Sequence, residues 1–131
     1  MSTERPITIV TNDPLHVAEI YQEGLEQLEI AAQTVLVEST PALKALVSND
    51  DLNVVGGIID VSKPSGIRIA KDISVDPQMR NLRILYVTTH SPQELNALLP
   101  PNSKLLEKPF DNDDLLTFLK WLSKDERNQQ P

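Results

Sequence analysis

The feature that most constrains this chain is a repeated alternation of short, β-branched apolar runs with segments of helical period. Ile7 to Val10, Thr34 to Val37, Asn53 to Ile59, Arg83 to Thr88 and Lys104 to Glu107 read as strands. The third of these is apolar on both faces, as a strand must be in a parallel sheet covered by helices on both sides. Gly56 and Gly57 weaken it and mark a place of close helix approach. Five strands alternating with five helices, on connections short enough for right-handed crossovers, predict a doubly wound α/β domain.

The helix boundaries follow from capping chemistry. Asp13 reads as an N-cap with Pro14 as first helical residue, and Val17, Ile20, Tyr21, Leu25 and Leu28 then share a face. Ser39-Thr40-Pro41 opens a helix carrying Leu43, Leu46 and Val47. A third helix follows Gly66, turns Ile67, Ala70 and Ile73 inward, and ends near Asp76-Pro77. Ser91-Pro92-Gln93-Glu94 is a capping box for a short fourth helix, which Pro100-Pro101 stops. Asp111 caps the last helix, with Leu115, Phe118, Leu119 and Leu122 as its stripe and Leu116 and Trp121 on the flanks. Residues 125–131 form a polar tail, which leaves 5–124 as the domain.

Composition narrows the chemistry. Across 131 residues, 12 basic against 19 acidic side chains give a net charge of −7. That charge opposes a surface that tracks nucleic-acid phosphates, and five aromatics leave little for base stacking. The absence of Cys and the presence of only His16 and His90 argue against a zinc site of ordinary ligands. No apolar run has the length of a membrane helix, and the polar start Met1 to Arg5 precedes no signal-peptide core. The chain therefore reads as a soluble cytoplasmic protein that binds neither nucleic acid nor membrane directly.

In doubly wound sheets, chemistry collects beyond the carboxyl ends of the strands. Those ends supply Thr11, Asn12 and Asp13, then Asp60, Thr88 with Thr89, and Lys108. A carboxylate, a hydroxyl and an ammonium converging there suit phosphoryl transfer, in which the carboxylate attacks phosphorus and the other two hold its oxygens. At these residues the sequence resembles the receiver domains of two-component response regulators. Asp60-Val61-Ser62-Lys63-Pro64 looks like the phosphoacceptor segment. Val87-Thr88-Thr89 looks like the hydroxyl motif, and Glu107-Lys108-Pro109-Phe110 like the Lys-Pro-Phe motif.

The resemblance implies a flavodoxin-like sheet of order 2-1-3-4-5, with Asp60 as phosphoacceptor, Thr88 binding the phosphoryl group and Lys108 pairing with its oxygens. It implies a cis peptide at Lys108-Pro109 and, as partners, a histidine kinase or phosphotransfer protein. A downstream protein would bind through the fourth helix, fifth strand and fifth helix, and a homodimer is among the assemblies allowed. The domain accepts a phosphoryl group but is not an enzyme in the turnover sense.

The chain also departs from the family pattern. The acidic pair that holds Mg²⁺ aligns with the neutral Thr11 and Asn12, so Asp60 and Asp13 are the carboxylates left for a weakened metal site. A switch aromatic is replaced by Leu105, and Ser65-Gly66 follow Pro64 without the usual spacer. Ser62 and His90 occupy positions that tune dephosphorylation in the family. These departures also fit a phosphorylation-independent module for protein–protein interaction. A carboxylate hydrolase is disfavoured, since no second acid or base is placed against Asp60.

Simpler roles stand beside these. Asp60 suits a strand-end cap, Thr88 an ordinary strand residue, Lys108 a permanent ion pair with Asp60, and Asp13 a helix cap. His16 and His90 suit exposed positions. Trp121 suits either internal packing or a partner's anchor.

Overall fold

Alternation along each strand decides which helices it can hold. The computed structural model describes residues 6–79, 81–89 and 103–124. In chain order these form β1 (Ile7–Thr11), α1 (Leu15–Gln27), β2 (Ala32–Leu36), α2 (Thr40–Val47), β3 (Asn53–Asp60) and α3 (Pro64–Val75). A 3₁₀ turn (Pro77–Met79), β4 (Arg83–Thr88), β5 (Ser103–Glu107) and α4 (Asn112–Ser123) complete them. The helix expected after Ser91, and His90 itself, lie outside the described residues, as does the tail.

All pairings are parallel and the strand order is β2-β1-β3-β4-β5, the doubly wound order expected. On one face Val10, Ile59, Ile84 and Tyr86 pack with Leu43 of α2 and Ile69, Ala70 and Ile73 of α3. On the other, Ile9, Ile58, Leu85, Val87 and Leu106 pack with Tyr21 and Leu25 of α1 and Leu115, Leu119 and Leu122 of α4. β3 is therefore covered on both sides, which is why it reads as a continuous apolar run. Its register against β1 slips between Thr8 and Ile9, leaving Val55 as the extra residue. Gly56 follows, and a Cβ there would collide with the Arg83 carbonyl and come within 2.6 Å of Leu122. The close helix approach inferred for this glycine is thus made by α4.

Several boundaries differ from expectation. β2 starts at Ala32 and ends at Leu36, because its extent follows its register with β1 (Ile7 opposite Ala32, Thr11 opposite Leu36) and not its own propensity. α3 begins at Pro64, which supplies a preset φ at the first helical position. Ile20 is 49% exposed, since it lies about 100° round α1 from the inward Tyr21. Asp13 does not cap α1: Pro14 holds the N-cap position without a side-chain bond, and the Asp13 side chain turns inward.

Ser39 and Asp111 do cap, accepting from the backbone N–H of Ala42 at 3.3 Å and of Asp114 at 2.8 Å. At the far end of α4, the Arg83 guanidinium donates to the carbonyls of Trp121 (3.3 Å) and Lys124. Gln22 of α1 lies along the outer border of β2. Its amide nitrogen donates to the Ala32 carbonyl at 3.0 Å, and its amide oxygen accepts from the Thr34 hydroxyl at 2.9 Å.

Candidate functional site

Ladder bonds carry the strand ends into the loops and so fix where the polar residues stand. Asp60 is opposite Val87, and the Val61 N–H donates to the Val87 carbonyl at 2.9 Å. The Lys108 N–H donates to the Thr88 carbonyl at 2.7 Å, and the Lys108-Pro109 peptide is cis as expected. Thr11, Asp60, Thr88 and Lys108 therefore share one sheet edge. Thr11 and Thr88 are fully buried there, and Asp13 and Asp60 nearly so.

Asp60 has partners on both oxygens. Oδ1 accepts from the Ser62 backbone N–H at 2.9 Å and from the Ser62 hydroxyl, while Oδ2 accepts from Lys108 Nζ at 3.0 Å. Burial alone pushes this carboxyl up. The Ser62 hydroxyl, the Lys108 ammonium and the Ser62 amide outweigh that and hold it below the usual aspartate range. The same ammonium lies 3.4 Å from Asp13 Oδ1, so it bridges the two carboxylates. Asp13 Oδ2 accepts from the Tyr21 hydroxyl at 2.6 Å, and Lys63 approaches Oδ1 at 3.9 Å from a half-exposed position.

Asn12 does something else. Its amide oxygen accepts from the Asp60 N–H at 2.7 Å and its amide nitrogen donates to the Asp60 carbonyl at 3.1 Å. One side chain after β1 thereby locks the backbone of the residue ending β3. Gly66 closes the cradle, because a Cβ there would overlap the Asp60 carbonyl and crowd the Asn12 amide at 2.9 Å.

Of the residues singled out in the sequence, Lys108 contacts both Asp60 and Asp13, and Thr88 joins them through its backbone. Thr11 accepts from the Asp13 N–H at 3.1 Å and stays buried. Leu105 is opposite Tyr86 in the β4–β5 register. Tyr21 was read only as core. Its signal was a tyrosine on an inward stripe, where a buried hydroxyl requires a partner.

The donor set does not suit a divalent cation. Among the described residues no cluster of three His, Cys, Asp or Glu side chains forms, Asn12 is occupied at both ends by backbone, and both carboxylates already share an ammonium. The weakened Mg²⁺ site expected on Asp60 and Asp13 thus coincides with an ion-paired pocket, in which Lys108 contacts both carboxylates.

The chain has the fold of response-regulator receiver domains. It is similar to a CheY-like receiver domain from Methylobacillus flagellatus at 24% identity, covering 92% of this chain and 100% of that one with a TM-score of 0.64. The chemotaxis response regulator CheY4 of Vibrio cholerae gives 21% identity, 91% and 99% coverage and a TM-score of 0.67. The receiver domain of a Pseudomonas aeruginosa sensor histidine kinase, whose active-site cleft coordinates a magnesium ion, gives 18% identity, 89% and 97% coverage and a TM-score of 0.65. No protein-family model matches the sequence and no curated protein matches it.

Proposed function

We propose that residues 5–124 form an atypical receiver domain of two-component signalling, with 125–131 as a tail, in which Asp60 accepts a phosphoryl group and partner binding changes in response. The observation that carries this reading is the meeting of the Asp60 carboxylate, the Lys108 ammonium and the buried Thr88 at one sheet edge. In the transfer, an Asp60 carboxylate oxygen bonds to phosphorus as the bond from phosphorus to a donor histidine nitrogen breaks. The nitrogen keeps the electron pair and is protonated, while Lys108 follows the charge onto the phosphoryl oxygens and Thr88 donates to one of them.

The donor is a histidine kinase or phosphotransfer protein of the cytoplasm. The responding surface includes β5 and α4. There Lys104 lies 5.2 Å from the centre of the Trp121 ring, a cation–π contact at the border of β5 and α4. No helix among the described residues is long and apolar enough to cross a membrane.

Incubation with acetyl phosphate, followed by intact mass and Trp121 fluorescence, tests this. One added phosphoryl group that Asp60→Asn abolishes supports the reading, and an undiminished adduct in that variant removes Asp60 from it. The second reading, a phosphorylation-independent interaction module, is favoured by one observation: both Asp60 oxygens are already engaged within the protein. Wild-type protein that stays unmodified while still binding its partner would establish it.

A further inference from the structure

We propose that this pocket works without a divalent cation, the Lys108 ammonium bridging Asp13 and Asp60 and Tyr21 holding Asp13 so that Lys108 can leave it. The proposal rests on Asp60 as phosphoacceptor and adds what offsets the incoming charge.

Charge counting comes first. Asp13 and Asp60 contribute two negative charges, and Lys108 with Lys63 returns two positive ones at 3.0 to 3.9 Å. The pocket is balanced before any ion enters, and an arriving dication would face two ammonium groups. The side chains are committed as well: both ends of the Asn12 amide are turned to the Asp60 backbone. Asp13 is 2% exposed, with one oxygen on Tyr21 and the other on Lys108.

The bridge also explains the tyrosine. A phosphoryl group on Asp60 brings more negative charge than the carboxylate it replaces, so Lys108 moves toward it and away from Asp13. A buried carboxylate deserted by its cation is costly, and that cost would hold Lys108 back. The Tyr21 hydroxyl at 2.6 Å keeps Asp13 solvated from the protein side, with Lys63 nearby. Tyr21 is thus a positioning residue that frees Lys108.

Titration with MgCl₂ alone, followed by backbone amide shifts at residues 11–13, 60–62 and 108, tests the first part. Wild type is expected to show no saturable shift through the millimolar range, whereas Thr11→Asp/Asn12→Asp acquires one, at least ~10-fold tighter. A saturable wild-type shift that Asp13→Asn abolishes would overturn the proposal. Phosphorylation by acetyl phosphate should start at equal rates with excess chelator and with millimolar magnesium. An adduct that forms only with magnesium sinks the metal-free pocket and leaves Asp60 as acceptor. No adduct under either condition sinks the acceptor reading and with it the part given to Tyr21, and the ion titration still decides on the metal. Tyr21→Phe should slow adduct formation, and Tyr21→Phe/Asp13→Asn should restore it, because the carboxylate that detains Lys108 is gone. Failure of that rescue would reduce Tyr21 to a packing residue.

Discussion

Asp60 is buried at a strand end and yet held ionised, because the Ser62 hydroxyl and amide and the Lys108 ammonium together outweigh desolvation. The sign of the pH effect follows. A carboxyl whose folded value lies below its unfolded value of ~3.9 adds stability that is fully present above about pH 4 and disappears as pH falls through the folded value. Urea unfolding should therefore find Asp60→Asn less stable than wild type at neutral pH, with the gap closing in acid. A gap that persists at low pH would place the loss in packing and not in charge. Gly66→Ala should cost about 1–3 kcal/mol in the same assay, because its Cβ would meet backbone at Asp60 that Asn12 prevents from moving. At this scale the meeting of Asp60 and Lys108 was legible, since strand-end position and residue type sufficed to bring them together. Asp13 was not: one aspartate before Pro-x-x serves a cap or a pocket equally well, and Tyr21 eight residues on decides between them.

Elements owe their limits partly to local chemistry and partly to neighbours. α2 and α4 start where Ser39 and Asp111 satisfy a free N–H, and both caps could be read from the chain. β2 could not, because Ala32 and Gln33 have little strand preference and are recruited by β1. Ile20 shows the same limit in α1: apolar spacing gives the stripe, but its edge depends on what lies opposite. Asp111→Ala should lower stability by about 1 kcal/mol, since it removes both the cap bond to Asp114 and a negative charge at a helix N-terminus. Hydrogen exchange should quicken first in the opening turn of α4; an unchanged first turn would assign the cap no role.

The whole molecule is two apolar layers divided by one sheet, and the order of its strands was legible from the strand–helix alternation together with the family resemblance. Ile69 and Leu119 belong to opposite layers and share no packing cluster. Each truncation to alanine should cost about 2–5 kcal/mol, and the two should add to within ~0.5 kcal/mol in the double variant. Thermal or urea unfolding of the four proteins measures this, and strong non-additivity would mean that the sheet transmits strain between layers. A parallel sheet has two open borders, and the Gln22 side chain lies along one of them. The Ala31 and Val37 backbones bond inward to β1, so the groups of Ala32 and Thr34 face outward, and it is these residues that Gln22 engages. An added strand would have to displace the protein's own amide from the Ala32 carbonyl before it could pair along this border.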